Sequence, residues 1–283
     1  MTTTRPSSTA VAHDGRGSPL APSRDAVMQA LQRARLLQGR LALVTGAASG
    51  IGQAIALGFG AAGARVVVTD VTAQRCEQTV ALMRAAGAEA WGFALDVTDA
   101  NASAALADEV GRVFGDVNIL VNNAGVIIRE GIDSPQAHAN IRRTMDVNLF
   151  GTFNVIHAWL PALRRTRGCI LNIASGAAFI AQAGSLGYSA SKGAVKMLTQ
   201  SMANDLGADG IRVNALAPGV IETPMTDITR ANPERLARFM VRIPAGRVGQ
   251  PQELVGAAVF LASDLATYVN GVTLPVDGGT LAV

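Results

Sequence analysis

Short apolar runs alternate with longer segments of helical period from residue 41 to the C-terminus. The runs are apolar on both faces, which is typical of strands buried in a parallel sheet. Alternating strands and helices predict the α/β class, a single-domain Rossmann fold with a doubly wound, seven-stranded parallel sheet and helices on both faces. The predicted strands are 41–44, 65–69, 90–95, 119–121, 170–174, 212–216 and 273–276, and the predicted early helices are 51–62, 73–86 and 102–114.

The N-terminal segment lacks this pattern, so residues 1–38 are predicted to be a disordered or partly helical extension to a domain of residues 39–283. The first 24 or so residues are rich in Thr, Ser, Pro, Gly and Arg. Residues 24–37 have apolar positions near helical spacing, which favours a short amphipathic helix. Without an apolar signal region or a bilayer-length apolar run, we expect a cytoplasmic protein with no membrane partner.

Composition argues against several other classes. Hydrophobic residues make up 49% and charged residues 16%, enough apolar material for a sizeable core. The net charge of +3 is spread along the chain, so no nucleic-acid partner is expected. Cys76 and Cys169 are isolated, and the three histidines show no ligand spacing, so no metal site is expected.

A glycine-rich turn, TGAASGIG (45–52), lies between the first strand and the first helix. Its glycines permit a tight turn and close approach of the backbone to a pyrophosphate, which the helix N-terminus also favours. The spacing is G-x3-G-x-G, and a glycine-rich turn alone can be purely structural. Its position predicts a dinucleotide site that includes Gly46, Ser49, Gly50, Ile51 and Gly52.

Asp70 closes the second predicted strand. A carboxylate there accepts hydrogen bonds from the adenosine ribose and repels a 2′-phosphate. Ala47 and Ala48 offer no positive charge for that phosphate, so NAD is expected, with NADP less favoured. The alternative is that Asp70 caps the following helix.

Further candidates follow the third and fourth strands. Asp96 and Val97 end the third strand, where Asp96 is predicted either to bond the adenine or to cap the next helix. The sequence NNAG (122–125) ends the fourth strand. Both a structural role for Asn122 and a cofactor-lining role for Asn123, Ala124 and Gly125 are open.

Ser175, Tyr188 and Lys192 are the candidate catalytic residues. A helix beginning near Tyr188 would place Lys192 one turn away on the same face. A phenol can exchange a proton with a carbonyl oxygen, but its ordinary pKa of about 10 is high, and a neighbouring ammonium would lower it. Ser175 could position the substrate oxygen. The alternative is an ordinary tyrosine and a solvated lysine.

Together these motifs resemble the short-chain dehydrogenase/reductase family from about residue 41 to the C-terminus. The match comprises TGAASGIG, Asp96, NNAG, DVNLFG (146–151), Ser175, YSASK (188–192) and PGVIETPM (218–225). The resemblance implies that Asn148 completes a catalytic tetrad through a water and that Tyr188 and Lys192 also contact the cofactor. It further implies a homotetramer or dimer, a mobile substrate loop at about 223–243, and nicotinamide contacts from Pro218, Gly219, Ile221 and Thr223.

The substrate is expected to be a small molecule. The C-terminal motifs and NNAGVIIRE (122–130) resemble the sugar-acid, gluconate-type members, and Arg129 could bind a carboxylate or be a solvated loop arginine. These motifs also occur in 3-oxoacyl carrier reductases and in steroid and polyol dehydrogenases. The alternatives are therefore a 3-oxoacyl thioester reductase and, in another class, a non-enzymatic NAD-binding regulator.

Overall fold

The computed structural model describes residues 24–283. Seven strands form one parallel sheet in the order β3-β2-β1-β4-β5-β6-β7. The order reverses between β1 and β4, so a crevice opens at the carboxyl ends of these strands. The predicted Rossmann fold is therefore confirmed. The strands are β1 (Leu41–Thr45), β2 (Arg65–Asp70), β3 (Ala90–Ala94), β4 (Ile119–Asn122), β5 (Cys169–Ile173), β6 (Arg212–Pro218) and β7 (Thr273–Val276).

Helices surround the sheet, and a π-helical segment, Asp146–Gly151, joins two of them. The α-helices are α1 (Arg24–Ala34), α2 (Gly50–Ala61), α3 (Ala73–Ala85), α4 (Ala100–Phe114), α5 (Ala137–Met145), α6 (Thr152–Thr166), α7 (Leu186–Leu206), α8 (Asp227–Arg230), α9 (Pro233–Met240) and α10 (Val255–Ala262). Short 3₁₀ turns occupy Gly176–Ala178, Gly207–Asp209, Pro224–Thr226, Pro251–Leu254 and Asp264–Ala266.

Two hydrophobic clusters cover the two faces of the sheet. Val66 and Val68 of β2 belong to one cluster, with residues of α2 and α10, whereas Val67 belongs to the other, with residues of α4 and α6. Successive residues of a strand point to opposite faces, so an all-apolar strand fills both clusters at once. This explains why the strand sequences lack polar alternation.

Part of the predicted N-terminal extension packs on this core. Leu31 of α1 is 8% exposed and Leu37 is fully buried, both in the cluster that contains Phe59 of α2. The Leu37 N–H donates to the Ala62 carbonyl at 2.9 Å. The predicted helix at 24–37 is thus present as α1, while the disorder prediction for the first residues lies outside the described part of the chain.

Most predicted element boundaries agree with the structure within two residues. Helix α4 begins at Ala100, two residues before its predicted start, because the Asp99 carboxylate accepts hydrogen bonds from the N–H groups of Asn101 and Ala102, both at 2.9 Å. Across residues 24–283, none of the helices is both long enough and apolar enough to cross a bilayer.

Candidate active site

A groove of about 920 Å³ opens at the carboxyl ends of β1, β2, β3 and β4. Its size and elongated lining suit a dinucleotide, and the switch point of the sheet lies beneath it. Most of the predicted cofactor residues line it: Gly46, Ser49, Gly50, Ile51, Asp70, Asp96, Val97, Asn123, Ala124, Gly125 and Thr223. The predicted residues that do not line it are Gly52, Tyr188, Lys192, Pro218, Gly219 and Ile221.

The glycine-rich turn forms a cradle that only glycines allow. Gly46 has φ of +60°, and a Cβ there would come within 2.8 Å of the Ala124 Cα. A Cβ on Gly52 would lie 2.5 Å from the Gly46 carbonyl oxygen, so Gly52 supports the turn from behind. Helix α2 begins at Gly50, and the residues at its N-terminus, Ser49, Gly50 and Ile51, line the groove. This arrangement fits a pyrophosphate.

Thr45 and Asn123 lock this turn to the end of β4. The Asn123 side-chain amide donates to the carbonyl oxygens of Thr45 and Gly46, both at 2.9 Å. The Thr45 hydroxyl oxygen accepts from the N–H groups of Asn123 at 3.0 Å and Ala124 at 3.1 Å. Asn123 thus both lines the groove and holds its floor. Sequence reasoning missed Thr45, whose role depends on this contact between strands.

Asn122 points into the interior instead. Its amide donates to the Asn172 side-chain oxygen at 2.9 Å, and the Asn172 amide donates to the Thr199 hydroxyl at 2.9 Å. These three buried side chains tie β4 to β5 and to α7. The structure therefore places Asn122 in a structural network behind the site.

Asp70, the last residue of β2, lines the groove and is 9% exposed. Its carboxylate accepts from the N–H groups of Val71 at 3.0 Å and Ala48 at 3.4 Å. Helix α3 has Thr72 at its N-cap, and no bond from Asp70 to an N–H group of that helix is present. The carboxylate is also paired with Arg75, whose Nε lies 3.1 Å from Oδ1.

Asp96 and Val97, which follow β3, also line the groove. The Asp96 carboxylate accepts from the Thr98 N–H at 2.9 Å and from the Thr98 hydroxyl at 2.7 Å. The cap of α4 is Asp99, so Asp96 does not serve as that cap. Val97 is buried against Gly151. A Cβ on Gly151 would lie 2.6 Å from Val97 Cγ2, so there is no room for a side chain at position 151.

Ser175, Tyr188 and Lys192 converge beside β5, and Lys192 comes close to Gly125, which lines the groove. Ser175 lies two residues after the end of β5, and its hydroxyl oxygen accepts from the Ala177 N–H at 3.0 Å. The Ser175 hydroxyl lies close enough to the Tyr188 phenol to lower the pKa of that phenol. Lys192 lies one turn along α7, with Nζ over the Tyr188 ring at 5.8 Å from its centroid. The serine, phenol and ammonium therefore share one small region.

Lys192 is held by the backbone. Its side chain is buried, and Nζ donates to the Ile173 carbonyl oxygen at 2.7 Å. A Cβ on Gly125 would lie 3.5 Å from Nζ and 3.1 Å from Asn148 Oδ1. Gly125 therefore separates the lysine and the asparagine at close range, and a side chain there would crowd both.

Asn148 is fully buried in the π-helical segment. Its Oδ1 accepts from the Val126 N–H at 2.8 Å, and its amide donates to the Val126 carbonyl at 3.0 Å and to the Ser191 hydroxyl at 2.9 Å. The Ser191 hydroxyl donates in turn to the Tyr188 carbonyl at 2.9 Å. The side chain of Asn148 thus connects the loop after β4 to the helix that carries Tyr188.

Burial dominates the titration of the two catalytic groups. It raises the pKa of Tyr188, whereas the Ser175 hydrogen bond and the Arg129 charge lower that pKa. It also lowers the pKa of Lys192 to about 8, because a buried ammonium loses hydration. The expectation that Lys192 would bring the Tyr188 pKa down is not met in this structure, since Nζ is directed to the Ile173 carbonyl.

Arg129 lies on the loop after β4, close enough to the Tyr188 phenol for their charges to interact. Partial burial lowers its pKa, and the nearby Arg235 of α9 lowers it further. Among the described residues, no carboxylate lies within ion-pair distance of Arg129. The neighbouring Glu130 accepts from the Asn140 amide at 2.5 Å and from the Ser134 hydroxyl, which fastens this loop to α5.

The residues expected around the nicotinamide are divided between sites. Thr223 lines the large groove, whereas Ile221 is buried in the core and forms a bridge with Gly249. Pro218 and Gly219 line a smaller cavity of about 70 Å³ between the segment after Ser175, α9 and the C-terminal segment. This cavity begins at Gly176, next to the catalytic serine.

Comparison with known proteins identifies the chain. A family model described as enoyl-(acyl carrier protein) reductase matches residues 46–280. The chain belongs to the short-chain dehydrogenase/reductase family. It is therefore a pyridine-nucleotide-dependent oxidoreductase of alcohols and carbonyls, which confirms the enzyme class over the non-enzymatic alternative.

Individual relatives of this short-chain dehydrogenase/reductase have different substrates. The 2-dehydro-3-deoxy-D-gluconate 5-dehydrogenase of Dickeya dadantii is 39% identical over 87% of this chain and 97% of its own. The 3-oxoacyl-[acyl-carrier-protein] reductase FabG of Pseudomonas aeruginosa is 39% identical over 86% of this chain and 98% of its own. A similar solved structure is that of a gluconate 5-dehydrogenase from Burkholderia cenocepacia in complex with NADP and tartrate. Its sequence is 38% identical to this chain, the TM-score is 0.84, and the match covers 90% of this chain and 99% of that one.

Proposed function

We propose that this chain is an NAD(H)-preferring dehydrogenase that interconverts a secondary alcohol and its ketone on a small sugar acid or polyol. The observation that carries the proposal is that Ser175, Tyr188 and Lys192 lie together with Arg129 beside Gly125, which lines the dinucleotide-sized groove. Arg129 has no ion pair within the described residues. The first three groups supply proton transfer, and Arg129 supplies a site for a carboxylate.

The groove fits the cofactor at several points. The N-terminus of α2, with Ser49, Gly50 and Ile51, would hold the pyrophosphate. Asp70 would hold the adenosine ribose hydroxyls, and Asp96 with Val97 the adenine. The nicotinamide end would rest against Asn123, Ala124, Gly125 and Thr223, with Pro218 and Gly219 at the adjoining cavity. When bound, the nicotinamide supplies the acceptor for the hydride that leaves the alcohol carbon.

The chain's own groups handle the proton. In the oxidation direction, the Tyr188 phenolate accepts the hydroxyl proton of the substrate as the alcohol carbon becomes a carbonyl. Ser175 donates a hydrogen bond to the substrate oxygen and fixes its distance from the phenol. In the reduction direction, the Tyr188 phenol returns a proton to the oxygen.

Lys192 and Asn148 support that proton transfer. The Ile173 carbonyl uses one of the three ammonium donors of Lys192, which leaves two for the cofactor ribose and for a proton relay. The charge of Arg129, which lowers the pKa of Tyr188, favours the phenolate form. Asn148 positions Tyr188 and Lys192 through Ser191 and the loop after β4.

Arg129 favours an anionic substrate. A half-buried guanidinium beside the reacting phenol, with no described carboxylate to neutralise it, suits a carboxylate on the substrate. The gluconate-type names of two relatives point to the same class. A 3-oxoacyl thioester is the second candidate, because FabG-type reductases are equally similar, but such a substrate has no free carboxylate for Arg129.

We also propose that residues 39–283 form the catalytic domain of a cytoplasmic homo-oligomer, a tetramer or dimer. Phe150, near the end of the π-helical segment, is 55% exposed, Phe153, at the start of α6, is 44% exposed, and Met197 of α7 is 56% exposed. Such exposed apolar side chains suit a helix–helix contact with a second copy. Light scattering during size-exclusion chromatography would measure the mass, and a monomer would contradict this assignment.

A substrate panel tests the main proposal. NAD and NADP reduction would be measured with sugar acids, neutral polyols, 3-hydroxyacyl thioesters and hydroxysteroids, for the wild type and Arg129→Gln. The proposal predicts the highest kcat/KM for a sugar acid with NAD, and a selective loss for that acid in Arg129→Gln. If the 3-hydroxyacyl thioester instead has the highest kcat/KM, and Arg129→Gln does not change it, the chain is a 3-oxoacyl thioester reductase.

A further inference from the structure

A second large cavity, of about 670 Å³, opens at the amino ends of the parallel strands. It is lined by residues at or directly before the starts of β1, β4, β5 and β6, namely Arg40, Ile119, Cys169 and Arg212. We call this cavity the amino-edge pocket. The cofactor groove lies at the carboxyl ends of the strands, so the two sites are at opposite edges of the sheet. The volume of the amino-edge pocket is within the range of small-molecule sites.

The lining of the amino-edge pocket carries a net positive charge. Its charged members within residues 24–283 are three arginines and one carboxylate, Asp264. Asp264 is paired with Arg40, whose Nη2 lies 2.8 Å from Oδ1. Arg212 donates to the carbonyl oxygens of Leu261 at 2.7 Å and Ser263 at 3.1 Å, and these neutral groups hold its guanidinium without cancelling the charge. Two positive charges are therefore left without a counter-charge in the lining.

Two of these arginines lie close to the same buried thiol. Cys169 lines the amino-edge pocket, and its Sγ donates to the Ala262 carbonyl oxygen at 3.7 Å. Burial raises the pKa of Cys169 to about 11, whereas the charges of Arg212 and Arg40 lower that pKa and the charge of Asp264 raises it. Charges have such effects only at close range, so the two guanidinium groups can contact one anion together.

Arg167 is the third arginine of the lining. Its side chain is exposed and has no hydrogen bond or ion pair in the part of the chain that the structure describes. It directly follows α6 in the left-handed region, with φ of +47°, where glycine is usual. Its stem lies against Gly210, where a Cβ would come within 3.4 Å of Arg167 Cγ and Cδ. A strained residue that lines a cavity with an unpaired charge is typical of a ligand-binding position.

We propose that the amino-edge pocket binds a phosphate-bearing small molecule, whose phosphate is held by Arg40, Arg167 and Arg212. A phosphate monoester carries a charge of about −1.5 to −2 near neutral pH, which matches the two uncompensated charges of the lining. A single carboxylate would neutralise only half of that charge. This site goes beyond the proposed function and does not depend on it, because none of the groups assigned to proton transfer contributes to it.

The arginines retain the donors that such a ligand needs. Each guanidinium has five N–H groups, and the contacts described above use one from Arg40 and two from Arg212. A planar guanidinium can donate two parallel hydrogen bonds to phosphate oxygens. The Thr267 hydroxyl and the Asn118 side-chain amide also line the pocket, and neither group donates a hydrogen bond within residues 24–283. These two donors suit oxygen atoms on the organic part of the ligand.

Calorimetric titration of the full chain tests this site. Inorganic pyrophosphate is the probe, and NADH is kept at saturation so that the glycine-rich turn is already filled. Citrate is the comparison probe, because its charge is carried by carboxylates alone. The variants are Arg167→Gln and Asp264→Asn, with Arg112→Gln as the matched control, since Arg112 is an exposed arginine of α4 outside both cavities. Thermal melting of each variant verifies that it folds.

We expect one pyrophosphate per chain, with a dissociation constant below about 1 mM at low salt. Arg167→Gln should weaken binding about tenfold or more, because it removes a charged donor to the phosphate. Asp264→Asn should tighten binding about threefold or more, because it removes the one carboxylate of the lining. Arg112→Gln should leave the dissociation constant within about twofold, and citrate should bind more weakly than pyrophosphate.

Other results would overturn the proposal. Pyrophosphate binding that disappears when NADH is saturating would place the anion at the glycine-rich turn alone. Binding that is unchanged in both Arg167→Gln and Asp264→Asn would place it elsewhere, and an equal loss in Arg112→Gln would indicate non-specific attraction to a basic chain. Tighter binding of citrate would refute the phosphate assignment. Failure of the proposed function is distinguishable, because the dependence on Arg167 requires neither turnover nor bound NADH.

Discussion

Lys192 reaches the carbonyl oxygen of Ile173, to which Nζ donates at 2.7 Å, while it stands 5.8 Å from the centroid of the Tyr188 ring. The ammonium is thus fixed by the end of β5, one turn of α7 away from the phenol. Because it is buried, its pKa falls to about 8, close to the working pH of many enzymes.

This geometry predicts an alkaline limb in the reduction direction. The kcat/KM for ketone reduction should fall as pH rises through about 8, because neutral Lys192 can no longer supply a proton to the relay that reprotonates Tyr188. Lys192→Met should be slow and lack that limb. Lys196→Met is the matched control, since Lys196, on the same helix, lies over the Phe179 ring at 4.3 Å. A wild-type profile with no inflection between pH 7 and 9 would contradict this role.

The same burial predicts a pH dependence of stability. The folded pKa of about 8 lies below the unfolded value of 10.5, so between them the unfolded chain binds more protons and stability rises with pH. Below about pH 8, Lys192 is charged in the folded protein, and burying this charge lowers the free energy of unfolding by its full amount. As the pH rises from 8 towards 10.5, this destabilisation is progressively lost. Two buried thiols, with pKa values raised to about 11, act in the opposite direction.

The contribution of Lys192 is therefore isolated by difference. Free energies of unfolding would be measured by denaturant titration from pH 7 to 10 for the wild type and Lys192→Met. Lys192→Met should have a higher free energy of unfolding than the wild type. This difference should be largest at pH 7 and should shrink above pH 8. A difference that is constant with pH would show that Lys192 titrates normally in the folded protein.

Arg129 should affect both substrate binding and the phenol. Arg129→Gln should raise the KM for a carboxylate substrate about tenfold or more while leaving a neutral polyol within about threefold. Because the Arg129 charge lowers the Tyr188 pKa, its loss should also shift the oxidation profile to higher pH. An equal effect on charged and neutral substrates would contradict the carboxylate assignment. Glu130→Gln, which loosens the loop, should give a weaker change in the same direction.

Helix α1 lies outside the matched family region but packs on the core. Leu31→Ala should lower the free energy of unfolding by about 2 kcal/mol, because the side chain is 8% exposed at the edge of a hydrophobic cluster. The exposed Gln32→Ala is the control, with an expected change below about 0.5 kcal/mol. Kinetic constants should not change in either variant. An unchanged denaturation midpoint for Leu31→Ala would show that α1 does not stabilise the domain.

The sequence predicted the fold and most of the groove because those features are local. Strand runs such as 65–69 are apolar on both faces, which is visible in the sequence. The glycines of the turn at 45–52 are required by its backbone conformation, so their spacing predicts the turn. The structure also brings Ser175 and Tyr188 together as the motif spacing suggested.

What the sequence did not predict depends on tertiary contacts. The ion pair of Arg75 with Asp70 depends on how the first turn of α3 packs beside the end of β2. The Thr45 hydroxyl accepts hydrogen bonds from the residues after β4 only because β4 pairs with β1, and nothing near Thr45 in the sequence predicts that pairing. The hydrogen bond of Lys192 to Ile173 likewise joins α7 to β5 across 19 residues of sequence. The sequence around Lys192 does not predict which group its Nζ contacts.

The most direct test of the central claim is the turnover of Tyr188→Phe. This change removes only the phenolic oxygen, so NADH should bind within about threefold of wild type while kcat falls about 10²- to 10⁴-fold in both directions. Tyr268→Phe is the matched control, because Tyr268 is fully exposed and is the only other tyrosine in the sequence. A Tyr188→Phe enzyme that binds NADH and retains near wild-type kcat would contradict the assignment of Tyr188 as the proton-transferring group.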